Sequence, residues 1–238
     1  MPVARLFESR YWHAFLEAEI WYFLLTGLQT TLTIAVVAIV LSLVFGTLLA
    51  LARLSSFFLI RYPALAYIEL IRALPVVFLI FFTFFGGARG LAVGGARVSW
   101  QDPLVAAIIA LTVYTSAVNA EIVRAGIQSI DKGQVEAARS LGLSYAQTMR
   151  LIVLPQALRR MIPPQVSQLI TLVKDTSLAY VIGTHELLNK AKILYSGFET
   201  GPLQALFVAG IIYFVINFGL SRVARTLETK PSSETSAR

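Results

Sequence analysis

The sequence predicts an all-α polytopic membrane protein that crosses the bilayer about five times, with its N-terminus outside and its C-terminus inside. Two observations set the class. Of the 238 residues, 57% are hydrophobic and only 14% charged, too apolar a balance for a soluble domain of this length. Five apolar runs, at 22–52, 63–85, 103–123, 164–182 and 203–220, come close to or exceed the ~20 residues that a helical span needs. A third observation shapes the layout: a basic, moderately polar segment, 124–163, separates the third run from the fourth. The chain reads as a single transmembrane domain over residues 1–238.

In order along the chain, residues 1–20 carry Glu8, Glu17 and Glu19 among aromatics, which argues against a cleaved signal peptide. Trp12, Trp21 and Tyr22 fit an interfacial belt instead. The first run exceeds one bilayer thickness and has length to spare for tilt. A short basic connection follows it, and Pro63 opens the second run, within which Pro75 frees a backbone carbonyl and permits a kink. Glycines from Gly86 onward break that helix, and Pro103 starts the third. Pro163-Pro164 is expected to open the fourth run, and 183–202 to form a polar loop before the fifth. The tail, 229–238, has nothing to bury and reads as disordered.

Orientation follows from lysine and arginine in the connections. With 124–163 inside, twelve such residues fall inside and six outside, which favours an outside N-terminus and an inside C-terminus. The net charge of +7 is scattered through connections, not gathered on an aromatic-interleaved face, so anionic lipid is a simpler partner than nucleic acid.

Local signals within 124–163 give two short helices and a sharp corner. Asp131 can cap the first, with Gln134 placed to reach back, and Gly142 can end it in a left-handed conformation. Ser144 and Gln147 form a Ser-x-x-Gln start signal for the second, which is expected to stop or kink at Pro155. The small Ala137-Ala138 pair allows another surface to approach closely. These features describe a docking element.

The residues Glu136, Ala137, Ala138, Gly142, Ile152, Leu154 and Pro155 fill a pattern of EAA, three residues, Gly, nine residues, Ile-x-Leu-Pro. That pattern resembles the cytoplasmic coupling loop of permease subunits in bacterial ATP-binding-cassette importers. The flanks, Ala120 to Ile127 and Lys174 to Leu178, are similar to the polar amino-acid branch of that family. The resemblance runs from about Thr26 to the end of the last apolar run. It implies a second permease subunit, identical or paralogous, two ATP-binding subunits docked on the coupling loops, and an external solute-binding protein. It also implies residence in the bacterial inner membrane and import of a polar amino acid, with glutamate, aspartate or glutamine preferred. ATP and Mg would then be bound by the partner ATPase, with no cofactor in this chain.

Charges inside apolar runs cost free energy and ask for a partner or a role. Glu69 with Arg72, and Glu121 with Arg124, stand three apart on helix faces and read either as structural ion pairs or as parts of an inner gate. Lys174 falls ~15 Å past Pro164, near the bilayer midplane, and Tyr114 and Thr115 reach similar depth from the other side. Tyr114, Thr115, Ser116 and Asn119, with Lys174 and Asp175, could meet the carboxylate and ammonium of a zwitterionic solute. The competing reading is that the hydroxyls join helices to one another.

No P-loop motif, nucleophile elbow or zincin motif occurs, so the chain alone is not expected to be an enzyme. Without cysteine there is no thiolate site, and His13 and His185 stand apart, so no metal is expected. An ion-coupled secondary transporter using Glu69, Glu121 and Asp175 is the rival reading, and a non-transporting scaffold the third.

Overall fold

The longest apolar run becomes the longest helix. In the computed structural model, which describes residues 8–89, 91–93, 96–98, 102–197 and 200–227, α1 (Ala18–Leu54) has 37 residues. At 1.5 Å per residue it is ~55 Å long, well over the ~30 Å of hydrocarbon. Beside it lies α4 (Pro103–Gln128), which starts with Pro103 behind an Asp102 side chain that accepts the Leu104 N–H at 2.8 Å. Small residues bring the two helices together: Ala106, Ala107, Ala110 and Ala117 of α4 share a buried cluster with Ile34 and Ala38 of α1.

The second run does not form one straight helix. It divides into α2 (Phe58–Ala73) and α3 (Val76–Arg89), bent by 106°. Pro75 has no N–H for the ladder and holds Leu74 in an extended conformation, so the expected kink is a full break. Beyond α3, strands β1 (Leu91–Val93) and β2 (Ala96–Val98) pair antiparallel, with Leu91 opposite Val98. This small hairpin is an addition to the all-α reading.

The 124–163 segment supplies α5 (Lys132–Ser140) and α6 (Tyr145–Thr148), and α6 passes through a π-helical turn, Met149–Val153, into α7 (Leu154–Asp175). Helical hydrogen bonding therefore continues past Pro155, so of the two expected outcomes, a stop or a kink, the stop does not occur. Pro155 sits in the first turn of α7, where its missing N–H falls at the shift of register from the π turn. Pro163 and Pro164 likewise lie inside α7 and open nothing. Each deletes the bond to the carbonyl four residues back, on Arg159 and Arg160, and both of those residues are exposed.

After α7 the chain turns through a 3-10 segment, Thr176–Ile182, and enters α8 (Leu187–Gly197). The expected polar loop at 183–202 is thus largely a helix, and a buried one. Leu187, Ala191 and Leu194 of α8 pack with Ile20 and Leu24 of α1 and with Ala205, Val208 and Ala209 of α9 (Pro202–Leu227). The apolar face of α8 needs this cover, which an outside loop would not supply. Together α7, the 3-10 segment and α8 make one discontinuous passage where a single helix over 164–182 was expected.

Among the described residues, three helices are long and apolar enough to cross a membrane, α1, α4 and α9, or four if α2 and α3 count as one span. The molecule is a polytopic, predominantly helical membrane protein. α7 is absent from that count because one of its faces is polar. Residues 8–17 cover the far end of the bundle: a 3-10 helix, Ser9–Leu16, tucks Phe15 into the α8–α9 cluster, and Trp21 Nε1 donates to the Phe15 carbonyl at 2.8 Å. Trp21 and Tyr22 are exposed, as an interfacial belt requires, whereas Trp12 packs edge-on against Phe207. The tail 229–238 lies outside the described residues.

Close approach of α1 and α4 depends on Gly46. A Cβ there would lie 2.7 Å from Asn119 Cβ and 2.9 Å from the Ser116 carbonyl oxygen. Gly46→Val is expected to destabilise the protein by about 1–3 kcal/mol through overpacking. Thermal unfolding in detergent checks this: a midpoint lowered by several degrees is predicted, and an unchanged one contradicts the packing described.

Candidate functional site: a capped surface element joined to a polar helix face

The corner between α5 and α6 is built from backbone hydrogen bonds. Asp131 Oδ1 accepts the Gly133 N–H at 2.7 Å and starts α5. At the other end Leu143 N donates to the Ala138 carbonyl at 3.2 Å and Gly142 N to the Arg139 carbonyl at 3.0 Å, the paired bonds of a Schellman motif. Gly142 takes φ +87°, as its expected role demands. Ser144 and Gln147 then close both halves of a capping box, at 3.3 and 2.8 Å. Gln134 does not close one with Asp131; its Oε1 accepts from Gln156 Nε2 at 2.8 Å and ties α5 to α7.

Of the patterned residues, Ala138 is buried, Ile152 and Leu154 are half-buried, and Glu136, Ala137, Gly142 and Pro155 are exposed. Leu141, Tyr145, Leu151 and Leu158 also stand exposed on this element. Its inner side is anchored: Val153, Ala157 and Met161 pack with Ala50, Ile68, Ala120 and Val123. The element therefore presents apolar and small side chains outward from a base fixed to α1, α2 and α4.

Next to that base the structure joins the expected charges differently from their sequence spacing. Glu121 and Arg124 do pair, Oε2 to Nη2 at 2.8 Å. Glu69 does not pair with Arg72; its Oε1 lies 3.3 Å from Nη2 of Arg53, and Arg53 also meets Glu121. The network Glu69–Arg53–Glu121–Arg124 thus joins α1, α2 and α4. Sequence reasoning placed Arg53 in a connection and missed it, although a cation at the end of a long apolar helix is a natural partner for carboxylates on its neighbours. Arg72 makes no ion pair among the described residues.

The polar patch of α4 divides by position. Asn119 Nδ2 donates to Ser42 Oγ at 3.0 Å, and Ser116 meets Tyr67 Oη at 3.1 Å, so both join helices. Thr115 is fully buried, and Tyr114 is half-buried against the α1–α4 cluster. Lys174 is exposed and Asp175 half-buried at the end of α7. No hydrogen bond or ion pair links Lys174 to the α4 patch among the described contacts.

What sequence reasoning missed is a continuous stripe. Arg160, Pro164, Ser167, Thr171 and Lys174 recur at intervals of four and three residues, so they share one face of α7. Four of them are exposed and Thr171 is half-exposed. It missed Glu186 as well. This carboxylate, fully buried, caps α8 by accepting the Leu188 and Asn189 N–H groups at 2.8 and 2.7 Å, and takes a hydrogen bond from Tyr213 Oη at 2.9 Å. Thr31 Oγ1 accepts the Leu187 N–H at 3.2 Å, completing the joint between α1, α8 and α9. An acidic residue directly ahead of Leu187-Leu188 was the available signal.

The corner is testable alone. Gly142→Val forces a β-branched side chain into a left-handed conformation, costing roughly 1–2 kcal/mol or more, while the spans stay folded. Faster tryptic cleavage after Arg139, with thermal unfolding of the bundle unchanged, is expected. Equal cleavage rates in variant and wild type contradict the assignment.

Residues 42–232 match the family model described as binding-protein-dependent transport system inner membrane component. The probable glutamine ABC transporter permease protein GlnP of Bacillus subtilis is 44% identical over 210 residues, 87% of this chain and 93% of that protein. The glutamate/aspartate import permease protein GltK of Escherichia coli O157:H7 is 38% identical, with the same two coverages of 87% and 93%. A crystal structure of an amino acid ABC transporter with histidines superposes with a TM-score of 0.80 at 31% identity, over 88% of this chain and 94% of that one. The chain belongs to the family of inner membrane components of binding-protein-dependent transport systems.

Proposed function

We propose that this chain is the permease subunit of an ATP-driven importer for a polar amino acid, set in the bacterial inner membrane with its N-terminus outside. Two such subunits, identical or paralogous, form the path. α5 and α6 dock on two ATP-binding subunits that hold the ATP and Mg and carry out hydrolysis, and an external solute-binding protein delivers the cargo. The observation that carries this reading is the helical continuity from α6 to Lys174. A push on the docked corner is transmitted along one element to the polar face where the solute passes.

The polar stripe supports the path. Hydrocarbon cannot hydrate Arg160, Ser167 or Lys174, so a face that exposes them borders water or another subunit. The exposed faces of α1 and α9, with Val36, Val40 and Val44 or Phe214 and Phe218, suit lipid. Lys174 supplies a cation for a solute carboxylate and Asp175 an acceptor for its ammonium. Names of the relatives favour glutamine, glutamate or aspartate as cargo. The ion-coupled reading is disfavoured by this family membership, and two of its carboxylates, Glu69 and Glu121, are held by arginines.

Proteoliposomes containing the chain with its ATPase and solute-binding partners test the proposal through uptake of radiolabelled glutamate and glutamine. Uptake is expected only with ATP inside the ATPase-accessible compartment. Lys174→Met is expected to lower it roughly fivefold to more than a hundredfold, the cost of losing one charged partner that the bound solute covers, with basal ATPase activity and thermal stability retained. Ion-driven uptake without the ATPase would sink the importer reading. Wild-type kinetics in a stable Lys174→Met protein would remove Lys174 from the path.

A further inference from the structure

A cavity of about 480 Å³ opens between α2, α4 and α7, at the end of the polar stripe nearest α5. Arg72, Val118, Glu121, Ser129, Arg160 and Pro164 are among its walls. Two of these are arginines that make no ion pair among the described residues. Glu69, the expected partner of Arg72, is held by Arg53, and Glu121 is held by Arg53 and Arg124. Among the described residues, Arg160 donates to neutral groups of Ser129, its carbonyl and its Oγ. The charged residues that line the cavity are thus two arginines, 72 and 160, and one carboxylate, Glu121, whose charge is already met by Arg53 and Arg124.

We infer that Arg72 and Arg160 form an anion subsite at the inner mouth of the path, which takes a carboxylate of the departing solute and favours amino acids with an acidic side chain. The inference rests on the permease reading. Guanidinium groups suit a carboxylate because their N–H donors match its two oxygens, and an apolar wall such as Val118 strengthens the attraction by excluding water. Arg160 and Pro164 are both cavity walls and the first members of the α7 stripe, and Lys174 is its last. A solute released at Lys174 travels ~21 Å along Thr171 and Ser167 to reach Arg160. Cations at both ends, with neutral hydroxyls between, hold an anion at entry and exit without trapping it along the way. Net-neutral glutamine gains less from the second station than glutamate does.

Equilibrium dialysis of the detergent-solubilised full-length chain against radiolabelled L-glutamate and L-glutamine tests this directly. Wild type is expected to retain glutamate more strongly than glutamine. Arg72→Gln and Arg160→Gln are each expected to weaken glutamate retention roughly tenfold, bringing the ratio toward one, and Arg72→Lys to restore part of it. Thermal unfolding must stay at the wild-type midpoint for these variants to count, and a charge reversal at the exposed Arg159 serves as a control that should leave the ratio unchanged. Equal retention of the two amino acids by wild type overturns the inference, as does unchanged glutamate retention in both glutamine variants. So does displacement of glutamate by phosphatidylglycerol micelles with an Arg72 and Arg160 dependence, which would make the cavity a lipid headgroup site. None of these outcomes alters ATP-driven uptake by the wild-type importer, whose absence would remove the permease reading and this subsite with it.

Discussion

Hydrocarbon offers no partner to an N–H, a hydroxyl or a charge, and the placement of polar groups in this chain follows from that constraint. Where two helices meet, several of the groups are paired: Asn119 with Ser42, Ser116 with Tyr67, Arg53 with Glu69 and Glu121. Where a helix begins inside the bundle, a side chain supplies the cap, as Glu186 does for α8. Pairing has limits, however. α7 exposes Arg160, Ser167 and Lys174 on one face, and in the proposed mechanism that face borders water.

Helix α7 connects the two parts of the proposed mechanism. At one end its base is held by three different contacts: Met161 lies against Gly126, Arg160 against Ser129, and Gln156 against Gln134. At the other end it stops at Asp175, where the 3-10 segment and α8 take over. In the proposed mechanism a displacement of α5 and α6 would move α7 as a body, with the break after Asp175 as the place where the passage flexes. The bend between α2 and α3 lies beside the same cavity, since Arg72 stands next to the end of α2. Both discontinuous passages thus border the polar face, while α1, α4 and α9 run unbroken and supply the frame.

Much of this was legible in the residues themselves. Gly142, Asp131 and the Ser144–Gln147 box act through neighbours a few positions away, so their roles could be read locally. The apolar runs of α1, α4 and α9 were equally plain, because length and composition suffice to identify them. Contacts between helices were not legible in this way. Glu69 stands three residues from Arg72, yet pairs with Arg53 from a different helix, and spacing along one helix carries no information about that. The prolines misled for a related reason: Pro163 and Pro164 look like helix openers, but their freed carbonyls fall on an exposed turn that tolerates them. α8 reads as a loop in the sequence because His185, Glu186, Asn189, Lys190 and Lys192 make it look polar. Its buried face of Leu187, Ala191 and Leu194 appears only once α1 and α9 are in place.

The central claim is that the exposed polar face of α7 borders water while the exposed faces of α1 and α9 border lipid. The chain has no cysteine, so single cysteines report without background. Ser167→Cys, Thr171→Cys, Val44→Cys and Phe214→Cys, each in the assembled transporter in native membranes, can be treated with a charged, water-soluble thiol reagent. The account predicts reaction at 167 and 171 and protection at 44 and 214. Protection at both α7 positions, or reaction at the α1 and α9 positions instead, would contradict it.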